Sequence, residues 1–352
     1  MEHNILVVGG NGLVGKTIIR ILKSRNPHIN IFTGGRKGGN TENDLKIDVT
    51  DPASFQVIPD KKIILIILSV NDRSDNILRF AVDNGIDYLD ITKPTPDLVR
   101  AYNLAKSRKV NSRIVFSSGW MGGIVSGLVK TLSMGKSDIQ EVKLFVYYSV
   151  KDLAGESSAH FMAENVAKPF IRYENNKEVS IRHFLDSEKF DFSFGIGSRE
   201  AYNFDVPDLY ILNQIEKVPN VSVKMTYNSR LITWLLGAFQ KIRIFNILSL
   251  KERRMIFGSS GKGDQSVFEI IVKTKQGSEK LSLKSEKGQA ELTALSAVLH
   301  TEELLQNIHE NSVCFSHQLH QPHSLTEKLK AYETIHIKYQ NEKNSHYQRA
   351  SE

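Results

Sequence analysis

The segment Val7-Val8-Gly9-Gly10-Asn11-Gly12-Leu13-Val14-Gly15 sets glycines at 10, 12 and 15 between an apolar run and an amphipathic stretch. That spacing suits the capture of a pyrophosphate. One glycine permits a tight turn, the next lets backbone approach the anion, the third lets a helix lie close to a strand, and the helix N-terminus favours negative charge. Phased as Gly9, Gly12 and Gly15, the stretch again reads as a dinucleotide loop. Gly10, Asn11, Gly12, Leu13, Val14 and Gly15 are therefore the expected cofactor contacts. Since a glycine-rich turn can also be merely structural, the elements around it have to carry the distinction.

The next informative place is the end of the second predicted strand. An acid there would hydrogen-bond the ribose 2′-hydroxyl of NAD and repel the 2′-phosphate of NADP. This chain has Gly34 and Gly35, then Arg36 and Lys37. A glycine loop followed by two cations suits a phosphate, which arginine can grip through a bidentate fork. NADP is the expected cofactor, with NAD the alternative and a solvated basic turn the plain structural reading. Ligands of such sheets lie outside the carboxyl ends of the strands, so Asp48 and Val49 are expected beside the adenine. Ser69, Val70 and Asn71 are expected beside the ribose and nicotinamide. Asp48 reads equally well as a turn or capping acid ahead of Thr50 and Pro52.

Hydride transfer also needs a donor or cation to stabilise developing charge. Tyr88, Asp90 and Lys93 are the catalytic candidates, with Thr92, Ser117, Ser118 and Trp120 at neighbouring strand ends. Lys93 reads as an acid or substrate clamp, or as a solvated residue before Pro94; Asp90 reads as a reacting acid or a turn brace. A Tyr-x-x-x-Lys pair downstream of a serine is absent from the expected place. His160, Arg182, His183, Arg199 and Tyr202 are the candidate substrate contacts of the second half. His317, His320 and His323 lack cysteine or acidic partners at ligand distance, so no metal site is expected.

These residues need an alternating framework. Strands are expected at 5–9, 29–33, 45–47, 62–70, 88–91 and 113–117, with helices at 13–24, 75–84 and 97–107 and a turn entering a helix at 48–54. This is the rhythm of a doubly wound parallel sheet, a Rossmann domain over residues 1–120. The run KIILIILSV is too short to span a bilayer and fits a strand buried on both faces. Beyond Gly119 a helix at 124–133 is followed by β-rich pieces without regular helices between them. An α+β substrate or dimerisation domain on a mostly antiparallel sheet is expected over 121–310, including a helix at 289–306. Residues 311–340 are expected to return to the first domain, and 341–352 to form a disordered tail.

The 352 residues suffice for two such domains. The formal charge is +7, from 46 Lys and Arg against 39 Asp and Glu, but the cations are dispersed, which argues against nucleic acid and for anionic small molecules. A single cysteine, Cys314, and no recognisable leader give the cytoplasm as the expected address. The apolar stretch 231–250 is interrupted by Gln240, Lys241 and Arg243, which argues against a spanning helix. It reads as a cover over a substrate pocket, a dimer contact, or, less favoured, an interfacial membrane segment continued by Lys251, Arg253 and Arg254. A homodimer through this helix or the second sheet is expected.

The order GGNGLVG, KIDVTDPASF, the strand ending SVND, AVDNGIDYLDIT and RIVFSSGWMGGIVSGLVKTL resembles the NADP-binding half of the saccharopine dehydrogenase-like family. DYLDIT looks like that family's tyrosine-x-aspartate-threonine strand. KPFIRYENNKEVSIRHF, SFGIGSREAYNFDVPDLYIL, KGQAELTALSAV and LTEKLKAYETIHIKY resemble its later portions, so the likeness covers most of the chain. Where the family often carries glycine, a bulky residue, aspartate, proline and glycine, this chain has Gly119, Trp120, Met121, Gly122 and Gly123. The resemblance thus implies an NADP-dependent oxidoreductase acting on a small carbonyl, imine or enoyl compound between two domains, the substrate being other than an amino-acid conjugate. The alternative is a dinucleotide-binding sensor or membrane-associated interaction protein without catalysis.

Overall fold

A computed structural model describes residues 3–343 apart from 40, 135, 137, 153, 154, 259, 260, 262, 307–309, 311 and 322. The chain divides into two compact units, Met1–Ile124 with Ala290–Gln321 and Val125–Gln289 with Pro322–Glu352.

Unit 1 is built on a parallel sheet. Its first six strands are β1 (Asn4–Val8), β2 (Asn30–Gly35), β3 (Asp44–Lys46), β4 (Leu65–Leu68), β5 (Asp87–Asp90) and β6 (Ile114–Phe116). The spatial order is β3, β2, β1, β4, β5, β6, and the strand Val313–Phe315 then pairs parallel with β6. Helices α1 (Leu13–Arg25), α2 (Asn76–Asn84) and α3 (Thr95–Lys106) connect them. All four residues of β4 are buried, as befits a central parallel strand covered on both faces. The remainder of the run 62–70 lies outside the ladder: Lys62 has a left-handed φ of 50°, and Ser69 begins the loop beyond the strand end. The turn expected at 48–54 leads into a short 3-10 helix, Pro52–Val57, capped by the Asp51 carboxylate, which accepts from Ala53 N.

The helix Gly288–Gln306 was expected in the second domain, yet from Ala290 onward it belongs to unit 1. Its apolar residues Leu292, Leu295 and Leu299 are buried, and ion pairs tie it to α1. Arg25 makes a two-pronged contact with Glu302, Nε to Oε1 at 2.7 Å and Nη2 to Oε2 at 2.8 Å, and Arg20 reaches Glu291. Such pairings between residues far apart in sequence leave no periodic trace.

Unit 2 holds a mixed sheet. The strands run in the order Glu188–Phe192, Gly197–Asn203, Asn220–Tyr227, Ile139–Tyr148, Ser266–Thr274, Gly277–Ser285 and Ile335–Lys343. Every neighbouring pair is antiparallel except Asn220–Tyr227 with Ile139–Tyr148. A parallel pair needs a long crossover; here it carries the helix Glu156–Asn165 and the hairpin Pro169–Glu174 with Lys177–Arg182. The last strand, Ile335–Lys343, lies in the segment expected to return to the first domain. Instead it pairs with Gly277–Ser285, because its alternating residues complete the open edge of that sheet. Residues 341–343 of the expected tail belong to this strand, and 344–352 lie outside the described residues. Stacking of Phe145 on Phe190, with ring centroids 4.0 Å apart, helps to fill one face.

His183 sits in an aromatic nest of unit 2 beside Phe170, at 4.8 Å between centroids, and Phe204, at 5.3 Å. Burial pushes its imidazole down from 6.5 to about 3. Because the folded state holds the neutral ring, this contribution to stability is complete above the unfolded value near 6.5 and is lost as pH falls below it. The expected outcome is that His183→Phe flattens the acid limb of the stability profile. Between about pH 7 and about pH 5 the variant loses about 2 kcal/mol less than the parent in urea unfolding.

Candidate functional site

The strand order turns back at β1, which has β2 on one side and β4 on the other. Crossovers leave in opposite directions there, so the loops beyond the carboxyl ends of β1 and β4 are splayed into a crevice. Val8 and Leu68 are register partners at those ends. The turn Gly9–Gly12 therefore faces the loop Ser69–Asn71.

Packing requires two glycines of the motif outright and constrains the third more mildly. A Cβ on Gly15 would lie 2.3 Å from Gly9 O, and one on Gly10 would lie 2.6 Å from Thr33 Cγ2. Gly9 has a φ of +87° and no room beside Ser69 and Val70. At Gly12, by contrast, a Cβ would meet only Gly9 O, at 3.3 Å. That contact with backbone is tight but milder than those at Gly9, Gly10 and Gly15, so packing constrains Gly12 least of the four, whereas close approach of an anion also calls for a bare backbone there. Gly12 is also the N-cap of α1, which has no side-chain cap and no acid in its first turn. The amides of Leu13, Val14 and Gly15 thus meet the helix dipole at an end that receives no negative charge from its own residues.

The second predicted group assembles around the same turn. A Cβ on Gly35 would lie 3.1 Å from Asn11 Nδ2, so the Asn11 amide lies where an acid at the end of β2 would project. Arg36 and Lys37 are exposed just beyond it. Asp48 Oδ1 accepts from Thr50 N at 2.9 Å and Thr50 Oγ1 at 2.7 Å. Those two bonds, with a smaller contribution from Arg36, hold its carboxyl below the usual range. Asp48 is therefore a turn brace lying within the field of the basic loop. Val49 O accepts from Asn76 Nδ2 at 2.9 Å. Ser69 Oγ donates to Val8 O at 2.9 Å, which fixes the loop after β4 to β1. Asn71 Oδ1 is buried without a hydrogen-bond partner among the described residues, an acceptor suited to a ligand hydroxyl or amide.

Tyr88, Asp90 and Lys93 also come together, but inside the protein. Tyr88 and Asp90 share one face of β5 because strand side chains alternate, and Tyr88 OH donates to Asp90 Oδ2 at 2.7 Å. The Lys93 side chain is fully buried, with Nζ 2.7 Å from Asp75 Oδ1, 3.4 Å from Asp90 Oδ2 and 3.0 Å from Asp72 O. Asp90 Oδ1 accepts from Thr92 N and Oγ1. Arg100 Nε donates to Asp75 Oδ2 at 3.0 Å. Burial opposes the Lys93 charge, but Asp90, Asp75 and Asp72 together outweigh it and hold the ammonium above its ordinary value. Burial, followed by the Asp90 carboxylate, pushes the Tyr88 phenol well above its ordinary value. Both groups stay protonated at neutral pH, and neither can serve as a base. The cluster positions the adjoining loop through Lys93 N and Ser118 Oγ, 3.0 Å apart.

Sequence reading did not identify Asp72, Asp75 and Arg100 as members of this network, nor a second buried group at the loop after β6. There Gly122 O accepts from Ser117 Oγ at 2.5 Å and Ser296 Oγ at 2.7 Å. His300 Nε2 lies 3.0 Å from the same oxygen, and His300 Nδ1 lies 2.7 Å from His320 Nε2. Ser296 and His300 are four apart on one helix and hence share a face, a spacing that could have flagged them. Met121, Gly122 and Gly123 all have left-handed φ, and a Cβ on Gly123 would lie 2.3 Å from Ser316 Oγ. Met121 and Gly122 of this turn stand where the resembling family carries aspartate and proline, and the left-handed φ at Gly122 is one that proline cannot adopt. Trp120 is buried beside it.

The candidates of the second half are not gathered. His160 pairs with Glu164 at 3.1 Å, Arg182 Nη1 donates to Ala167 O, Arg199 Nη1 donates to Ser198 O, and the Tyr202 ring packs on Gly237. His183 is enclosed by aromatic rings.

No family model and no curated sequence matches the chain. Similar solved structures include an engineered D-amino acid dehydrogenase, 11% identical over 94% of this chain and 100% of that one, with a TM-score of 0.45. They also include GenD2 from gentamicin A biosynthesis in complex with NAD, 9% identical over 97% of each chain, TM-score 0.40. A third is aspartate semialdehyde dehydrogenase with NADP from Candida albicans, 14% identical over 78% of this chain and 72% of that one, TM-score 0.36. None of these three is a saccharopine dehydrogenase. Likeness at this level carries no functional argument, so the reading rests on the chain's own residues.

Removing the Lys93 cation leaves the carboxylates around it uncompensated. Lys93→Met is expected to lower unfolding stability by about 3–5 kcal/mol, and Tyr88→Phe by about 1–3 kcal/mol, in urea titrations. A Lys93→Met protein as stable as the parent would contradict the buried network.

Proposed function

We propose that the crevice at β1 and β4 binds NADP and that the protein is an NADP-dependent oxidoreductase of the saccharopine dehydrogenase-like type. Its substrate is a small carbonyl, imine or enoyl compound. The observation that carries this reading is the N-terminus of α1 at the switch point, which has no side-chain cap and no acid in its first turn and opens from Gly12, the motif glycine least constrained by packing. The first-turn amides of α1 hold the pyrophosphate, and Arg36 and Lys37 meet the 2′-phosphate. Asn71 Oδ1 accepts a hydrogen bond from the cofactor's ribose or carboxamide. When bound, the cofactor supplies or accepts a hydride at its nicotinamide. Lys93, Asp90 and Tyr88 fix the loop at Ser117 and Ser118 beside that place.

The burial of Tyr88, Asp90 and Lys93 favours a second reading, a dinucleotide sensor without turnover, since none of them presents a proton donor to solvent. One set of measurements separates the two. NADPH is expected to bind at least about tenfold more tightly than NADH, with Arg36→Ala removing most of the difference. Equal affinities, or an unchanged preference in the variant, would refute the assignment of the basic loop. Steady NADPH oxidation with members of a carbonyl and imine panel supports the enzyme; tight binding without turnover across the panel supports the sensor.

A further inference from the structure

The sequence 231–250 and its continuation fold into three short helices of unit 2, Arg230–Lys241, Ile244–Ile247 and Leu250–Phe257. The first is turned inside out. Its buried stripe is Thr233, Leu236, Gly237 and Gln240, which includes two polar residues and a glycine. The opposite stripe, at the same i, i+3, i+4 spacing, contains Leu231, Trp234 and Leu235 and continues to Ile242 beyond the helix end. Leu231 and Ile242 are each 65% exposed and Trp234 59%. An ordinary surface helix of a globular protein has the reverse polarity.

The second and third helices extend this surface. Ile247 is 83% exposed and Met255 67%. Eight of the fourteen large apolar side chains that are exposed among the described residues fall within residues 231–256. The underside is well anchored: Phe245 lies between Phe239 and Phe257, at centroid distances of 6.1 and 5.8 Å, and Arg253 Nη1 donates to Ala163 O at 2.8 Å. Apolar groups therefore face outward from a fixed base.

Charge identifies the occupant. Between 230 and 257 the chain carries Arg230, Lys241, Arg243, Lys251, Arg253 and Arg254 against a single acid, Glu252. The Glu252 carboxylate is already engaged by Ser249 N at 2.7 Å, in a capping box. Lys241, Arg243 and Lys251 are exposed beside the apolar residues. A second copy meeting this surface through a two-fold axis would set these cations against themselves. An anionic bilayer offers them complementary charge and gives the apolar stripe hydrocarbon, with Trp234 at the interfacial level that indoles favour. No described helix is long and apolar enough to cross a membrane, so the contact lies in the plane of the interface.

We propose that residues 230–257 form a monotopic docking surface for a membrane rich in anionic lipid. This inference is independent of the cofactor assignment. The full chain is tested by flotation with vesicles of phosphatidylcholine alone and of phosphatidylcholine with phosphatidylserine. Recovery with the anionic vesicles only, weakened by added salt, is expected. Trp234 emission should shift to shorter wavelength on binding; the only other tryptophan, Trp120, is buried. Reversing Lys241, Arg243 and Lys251 together to Glu should lower vesicle affinity by on the order of 100-fold. Trp234→Ser with Ile242→Ser should abolish the binding, and both variants should keep the parent melting temperature because the changed side chains are exposed. Failure of the parent to float with anionic vesicles would overturn the proposal. So would a dimer in solution that the Trp234→Ser, Ile242→Ser variant converts to monomer.

Discussion

The architecture of unit 1 depends on one close approach. Gly15, in the first turn of α1, lies against the backbone of Gly9 and Gly10 so tightly that a single added carbon would stand 2.3 Å from Gly9 O. This contact fixes the angle at which the helix leaves β1 and directs its first amides beyond the strand end. Gly10 against Thr33 then ties the turn to β2, and the Ser69 bond to Val8 ties the loop after β4 to the same edge. The crevice is the consequence: three strand ends held at fixed spacing around a helix terminus that lacks an internal counter-charge.

The second organising feature is the set of charges buried under the neighbouring strand ends. Lys93 is enclosed by Asp75, Asp90 and the Asp72 carbonyl, and Asp75 is shared with Arg100. A lone buried charge would be prohibitively desolvated, so such groups survive only as a satisfied set. Their value lies in geometry: Lys93 N and Asp90 O both bear on Ser118 Oγ, and so set the course of the loop that follows β6.

Much of this was legible in the sequence where local chemistry decides. The glycine spacing, the apolar run at 62–70 and the missing acid at 34–35 each answer to one residue and its neighbours, and they pointed to the framework and the cofactor loop. Tyr88, Asp90 and Lys93 could be recognised as a group because they lie at or just after one strand end. Their enclosure could not, because Asp72, Asp75 and Arg100 reach them across distances that only the folded chain defines. The same reason hid the transfer of the helix Gly288–Gln306 to unit 1, where Glu291 and Glu302 pair with Arg20 and Arg25 on α1. At 231–250 the sequence showed an apolar helix but not which stripe faced outward, since the inward Thr233 accepts from Tyr227 N across a turn and the inward Gln240 donates to Val166 O, a partner remote in sequence.

The central claim is that Gly12 is kept free of a side chain for a bound pyrophosphate, and calorimetric titration of NADPH into the parent and Gly12→Val tests it most directly. The account predicts stoichiometric binding to the parent and loss of at least about 100-fold in affinity in the variant, with the cofactor-free variant still unfolding in a single cooperative transition. Unchanged affinity in Gly12→Val, or no binding to the parent, would contradict it.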